Sequence, residues 1–326
     1  MTSLATVGES LRDGIELLRS SGSESPRLDA ELLLASAIAA DRTALLAHPE
    51  WQVGSDAAAS YRAALIRRSR GEPVAYIRGL KEFYGMAFMA DRRALIPRPE
   101  TERLVELAER EVGRRLTAAP RGADARQLRI VDVGTGGGAI VVSLAAWVRR
   151  RGFAPDVELI ATDASPDSLQ LARENAVAHG VADLVDFIEA DLLPAASGGS
   201  PPAPPSAGRF DLVLANLPYV PTDAIGGLPI AASFEPRAAL DGGPDGLAIV
   251  RRLLERLLAS LNVDGIALIE IGADQADRVR EAVMGQLPGW SCDVERDLSG
   301  QPRVARIRPA PRDPAGPRAE PLGAAR

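Results

Sequence analysis

The chain of 326 residues is 46% hydrophobic and 25% charged, with a formal net charge of −6 and a pI near 5.2; this describes an ordinary globular protein with room for two domains and argues against non-specific nucleic-acid binding. One cysteine, Cys292, and two histidines in unrelated segments, His48 and His179, exclude a disulfide framework and a conventional metal cluster, so no metal is expected. Neither a signal-peptide pattern nor a bilayer-spanning apolar run is found, and the expected location is cytoplasmic, without a membrane partner.

Residues 1–74 read as a small helical domain. Apolar residues recur at helical spacing over 28–38, 41–48 and 57–70; Ser25-Pro26 suits a helix start, and Gly71 and Pro73 a stop. The segment carries no nucleophile or metal constellation, so its expected role is to hold a partner or cover a site. Arg67, Arg68 and Arg70 are read as a solvated helix face.

Residues 75–97 change character. The stretches 76–79 and 83–88 look strand-like, with Gly79 and Gly85 as turn points, which predicts a β-hairpin linking two domains. Five of the thirteen aromatic residues fall between Tyr61 and Phe88 and are read as core. Two prolines then stiffen Ile96-Pro97-Arg98-Pro99-Glu100-Thr101-Glu102, so Arg98 and Glu100 are candidates for a lip over a cofactor; a helix start with first-turn acids explains them equally well.

From residue 128 strands and helices alternate, the mark of a parallel sheet covered on both faces. Strands are predicted at 128–133, 157–162, 185–190, 210–215 and 265–271, helices at 139–151, 166–178, 247–261 and 275–287. Two last strands, 292–296 and 303–308, are close enough to pair as a hairpin. Residues 194–208 form a Pro/Gly/Ser/Ala insertion read as a flexible loop, and the tail, 310–326, is expected to be disordered.

Three successive strand ends carry polar chemistry. The first opens into Gly134-Thr135-Gly136-Gly137-Gly138, where glycine permits a tight turn and close ligand approach. It lacks the Gly-Lys-Ser/Thr ending of a nucleotide P-loop, but Gly134-x-Gly136-x-x-Ala139 satisfies the loose dinucleotide fingerprint, which keeps a dehydrogenase open. The second ends at Asp163, placed to accept from both hydroxyls of a ribose. The third ends at Asp191-Leu192, where a carboxylate can accept from an adenine amine while the leucine packs on the ring. Either acid alone is explained by a helix cap or a turn; the series describes a nucleoside pocket along one sheet edge.

The fourth strand runs into Asn216-Leu217-Pro218-Tyr219. Pro218 cannot donate to a sheet ladder, so the strand ends there with its last carbonyls unpaired. Asn216 adds an amide that both donates and accepts, and Tyr219 a flat ring. Such a group suits a carboxamide or a nucleobase amine. A nicotinamide enzyme usually wants a proton-transfer residue near this position, and neither histidine lies at a strand end. A methyl sulfonium needs only in-line alignment with its acceptor, so the pocket favours methyl transfer.

These features together resemble the release factor glutamine methyltransferases, a class I S-adenosylmethionine-dependent family. The resemblance extends over about 28–308. Its most specific stretches are Pro97-Arg98-Pro99-Glu100-Thr101 and Glu235-Pro236-Arg237 through Asp241-Gly242-Gly243-Pro244-Asp245-Gly246. It implies an α/β, Rossmann-like methyltransferase domain over 98–309, preceded by the helical substrate-binding domain and the hairpin. It further implies that Gly134 to Gly138 wrap the methionine end of S-adenosylmethionine, that Asp163 holds the ribose, and that Asp191 and Leu192 flank the adenine. Asn216, Leu217, Pro218 and Tyr219 would bind the target amide, with Asn216, Pro218 and Tyr219 as the catalytic group and Asn216 also facing the cofactor. The implied partner is a peptide chain release factor, methylated on the glutamine of its Gly-Gly-Gln loop, with no direct nucleic-acid contact; a monomer is expected.

One departure stands out. The family usually carries Asn-Pro-Pro-Tyr, and position 217 here is leucine. Asn-Leu-Pro-Tyr is known from rRNA adenine dimethyltransferases, so the alternatives are an N6-adenine methyltransferase acting on nucleic acid and a degenerate cofactor-binding module.

Overall fold

The computed structural model describes residues 4–118, 126–193 and 209–309; the loop expected at 194–208 and the tail at 310–326 lie outside the described residues. Five helices open the chain: α1 (Val7–Ser20), α2 (Pro26–Ala37), α3 (Arg42–Ala47), α4 (Ser55–Ser69) and α5 (Val74–Arg78). Thr6 and Glu9 close a reciprocal capping box at α1, and Asp41 caps α3 through the Ala44 N–H, so orphan donors at two helix starts are satisfied. Val7, Leu18, Leu33, Leu34, Leu45, Tyr61 and Leu65 bury their side chains together as the core of this unit.

Two sequence readings are corrected here. Arg68 is not solvated: its guanidinium donates to the buried Asp29 at 2.7 Å and to the carbonyls of Gly71 and Glu72 at 3.3 Å, locking α4 to α2. Arg67 pairs with Glu72 at 2.7 Å. Residues 76–78 are helical rather than extended, because Pro73 starts α5 and Gly79, at φ 70°, closes it. The hairpin is therefore confined to β1 (Leu80–Phe83) and β2 (Met86–Met89), turning at Tyr84-Gly85, both with positive φ. Tyr61, Tyr76, Phe83 and Phe88 are buried as core.

A turn at Pro99–Thr101 leads into α6 (Glu102–Ala118) and then the alternating unit: β3 (Leu128–Val133), α7 (Ala139–Arg151), β4 (Val157–Asp163), α8 (Pro166–Ala178), β5 (Val185–Glu189), β6 (Phe210–Ala215), α9 (Ala248–Ser260), β7 (Leu261–Glu270), α10 (Ala276–Gln286), β8 (Trp290–Arg296) and β9 (Pro302–Pro309). The seven strands lie in the order β5-β4-β3-β6-β7-β9-β8. The first five are parallel, and β9 runs antiparallel to both β7 and β8, so the last two strands do form the expected hairpin.

Alternation along the strands divides the core. Ile130, Leu159, Leu212, Leu214 and Leu268 face α6 and α7, while Val131, Ile160, Val213, Ala215 and Ile269 face α9 and α10. All six residues of β6 are buried, as a central strand covered on both faces requires. The chain order reverses direction across the sheet between β3 and β6, which leaves a crevice above their carboxyl ends, the place where open α/β sheets bind ligands.

Candidate active site

The glycine turn after β3 is held open from behind. Thr135 N–H donates to the Thr162 carbonyl at 2.9 Å, and its hydroxyl donates to Asp132 at 2.7 Å. Gly134, Gly136 and Gly138 have φ of 69°, 55° and 83°, the left-handed region that L side chains avoid. A Cβ on Gly138 would stand 3.1 Å from Ala172 of α8, so this glycine serves packing. Asp163 caps the turn: one carboxylate oxygen accepts from Gly136 N–H and the other from Ser165 N–H, both at 2.9 Å. Burial raises its pKa despite these bonds, and burial likewise pushes Asp132 up to about 7, with the Thr135 hydroxyl opposing the shift.

A cavity of about 430 Å³ opens over this edge, within the roughly 300–1,000 Å³ of small-molecule sites. Gly134, Thr135, Gly136 and Gly137 form its floor and Asp163 one wall. Asp191 and Leu192 line the far end, Leu192 buried and at φ 68°. The Asp191 carboxylate is already engaged by Arg252 and, at 3.3 Å, by Arg256, both on α9. Asn216, Leu217 and Pro218 close the opposite end. Gly138, Glu100 and Tyr219 are not among the lining residues; Glu100 is exposed. The combination of a glycine turn open to close approach, a half-buried carboxylate at the second strand end and an apolar residue beyond it fits a nucleoside-bearing cofactor.

Arg98 lines the cavity and pairs with Glu235 at 2.5 Å. Glu235 is buried and also accepts from Ile96 N–H at 3.0 Å, so the Pro-Arg-Pro-Glu-Thr and Glu-Pro-Arg stretches are one structure, joined across more than a hundred residues of sequence. The glycines that follow have a different purpose. A Cβ on Gly242 would lie 2.7 Å from the Pro218 carbonyl oxygen, and one on Gly246 only 2.3 Å from that of Tyr219. The 240–246 loop thus wraps the Asn-Leu-Pro-Tyr backbone from outside, bonded through Val220 N–H to Leu240 and Gly242 N–H to Val220 at 3.0 and 2.8 Å. Gln275 donates to the Tyr219 carbonyl at 2.9 Å.

Sequence reasoning assigned no role to three residues that hold this end. Glu235 and Thr101 lay within quoted motifs, but their partners are distant in sequence: Asn216 Nδ2 donates to the Thr101 hydroxyl at 3.0 Å. Glu270 ends β7, and its buried carboxyl is pushed up to about 7, by burial first, with the Thr101 hydroxyl and the Arg303 charge opposing. A carboxylate closing an otherwise apolar strand was the available signal.

Residues 9–79 match the family model described as the PrmC N-terminal domain, and 124–272 match a methyltransferase domain. A release factor glutamine methyltransferase of Moorella thermoacetica is 37% identical over 85% of this chain and 89% of its own length. Those of Koribacter versatilis and Deinococcus radiodurans are 36% and 35% identical, over 92% and 90% of this chain and 97% and 95% of theirs. With that identity over nearly the full length, and with the cavity built as described, the chain belongs to the release factor glutamine methyltransferase family.

Proposed function

We propose that the protein methylates the side-chain amide nitrogen of the glutamine in the Gly-Gly-Gln loop of peptide chain release factors, with S-adenosylmethionine as donor. The observation that carries this reading is that Asn216, Leu217 and Pro218 line the same cavity as the glycine turn and Asp163. When bound, S-adenosylmethionine supplies an electrophilic methyl group on a sulfonium. Gly134 to Gly137 would admit its methionine end, Asp163 would accept from the ribose, and Asp191 and Leu192 would border the base.

An amide nitrogen is a poor nucleophile because its lone pair is delocalised into the carbonyl. With Nδ2 of Asn216 committed to Thr101, the Asn216 oxygen is the atom left to accept from the target. Together with the Leu217 or Pro218 carbonyl it draws the two N–H bonds of the target out of plane and holds the lone pair toward the donor. The same acceptors stabilise the positive charge that develops on nitrogen, and water takes the departing proton.

The helical domain, 1–74, is the part that grips the release factor, joined by the 75–97 linker to the catalytic domain, 98–309. The reaction belongs in the cytoplasm, where termination runs, and a single chain suffices for it. Among the described residues no helix is long and apolar enough to cross a membrane.

Label transfer from S-adenosylmethionine tests the reading directly, with a purified release factor, the same factor carrying Gln→Ala in its Gly-Gly-Gln loop, and an adenine-containing RNA offered in parallel. Label on the first alone is expected; label on the RNA, or on none, overturns it.

A further inference from the structure

Asn216 can serve as described only if its amide presents oxygen, not nitrogen, to the cavity. Asparagine oxygen and nitrogen are nearly the same size, so the orientation is decided by hydrogen-bond partners. The partner on the inner side is the Thr101 hydroxyl, at 3.0 Å from Nδ2. A hydroxyl accepts and donates with equal ease, so Thr101 alone does not fix which end of the amide faces it. Something must claim the hydroxyl proton.

Glu270 is placed to do so. Ala215 and Ile269 are register partners in the β6–β7 pairing, so the next residue on each, Asn216 and Glu270, stand side by side at the carboxyl edge. Thr101 enters over them from the turn before α6. Glu270 is 1% exposed and Thr101 4%. Neither Glu270 oxygen completes a hydrogen bond of normal geometry among the described residues, yet the Thr101 hydroxyl is close enough to hold that carboxyl below where burial alone would push it. Glu270 does not line the cavity; its influence passes through its neighbours.

We propose that Glu270 and Thr101 are positioning residues that set the polarity of Asn216: the carboxylate takes the hydroxyl proton, the hydroxyl must then accept from Nδ2, and the Asn216 oxygen is left facing the target amide. This inference rests on the proposed role of Asn216. When deprotonated, the Glu270 carboxylate only accepts, and in that state the relay has a single direction. It also accounts for a charged side chain buried at the end of an apolar strand, where an aliphatic residue would pack at no desolvation cost.

The test pairs kinetics with a readout that needs no release factor. In the full-length protein bound to S-adenosylhomocysteine, the Asn216 side-chain amide protons are followed by NMR hydrogen exchange in the wild type, Thr101→Ser, Thr101→Val and Glu270→Leu. Protection is expected in the wild type and in Thr101→Ser, which keeps the hydroxyl, and is expected to be lost in Thr101→Val and Glu270→Leu. In methyl transfer to a release factor, the last two are expected to lose about 10- to 100-fold in kcat, the scale of a misplaced reacting group, with the Kd for S-adenosylmethionine unchanged, while Thr101→Ser recovers most of the rate. Unaltered amide protection in Thr101→Val and Glu270→Leu would overturn the relay, as would equal kcat losses in the serine and valine variants. Failure of the wild type itself to methylate would count against the proposed function, while the NMR comparison still decides the relay.

Discussion

Leu217 and Gly134 touch: the Leu217 Cδ2 lies 3.0 Å from the point where a Cβ on Gly134 would stand. Leu217 is 3% exposed, so the side chain that distinguishes this chain from the usual Asn-Pro-Pro-Tyr packs against the glycine turn and joins the Asn216 end of the cavity to that turn. Gly134→Ala is therefore expected to be costly through its φ of 69° and, to a smaller extent, through the tight contact that the Leu217 side chain must shift to relieve. Calorimetry should find S-adenosylmethionine affinity at least tenfold weaker, a loss of about 1.4 kcal/mol or more. Adding Leu217→Ala should recover only the part due to the contact; no recovery would refute the contact as a cause, and full recovery would refute the backbone strain.

Leu217→Ala on its own empties a buried site. Loss of a buried leucine side chain costs about 2–5 kcal/mol, so a fall in melting temperature is expected, together with weaker cofactor binding because the turn loses its support. A lower melting temperature with unchanged cofactor affinity would mean that the leucine only fills space.

Asp163 joins the turn to the start of α8 through two backbone donors at 2.9 Å. Asp163→Ala should weaken S-adenosylmethionine binding by about tenfold or more, since it removes the proposed ribose acceptor and leaves the Gly136 and Ser165 N–H groups without it. Asn216→Ala should do the opposite: cofactor affinity within about twofold, turnover down about 100-fold or more. Equal losses in binding and turnover for the Asn216 variant would remove it from the acceptor site.

Glu270 and Asp132 are both raised to about 7 by burial, from ordinary values of 4.5 and 3.8. A folded-state pKa above the unfolded one means that the folded protein holds its proton more tightly. The stability these groups contribute is full below the unfolded pKa and is lost as the pH rises through about 7. Glu270→Gln removes that loss at one site. Its melting temperature relative to wild type should therefore climb between about pH 5 and pH 8; a difference that stays level across this range would show that burial does not raise the carboxyl's pKa.

Much of the site was legible because each part sits where a periodic strand stops. Asp163, Asp191 and Pro218 could be placed at the sheet edge from the apolar runs that precede them, and the glycine turn from the helix that follows it. Residues 76–78 were misread because tyrosine and isoleucine favour strands, whereas Pro73 and Gly79 enclose just enough chain for a short helix. The packing of Leu217 on Gly134, the closure of Arg98 on Glu235 and the bond from Asn216 to Thr101 were not legible. Each joins residues about eighty to well over a hundred positions apart, and no local pattern encodes the partner. Asp191 was legible as a strand-end acid but not as the partner of Arg252 and Arg256, which lie on the exposed side of α9.

If the protein acts as proposed, the methyl group reaches a glutamine nitrogen in a release factor. Tandem mass spectrometry of a release factor incubated with the protein and S-adenosylmethionine tests it at the level of the atom. The expected result is the mass of one added methylene on the glutamine of the Gly-Gly-Gln peptide, formed much more slowly when Asn216→Ala replaces the wild-type enzyme. An unmodified peptide, or the increment on any other residue, would contradict it.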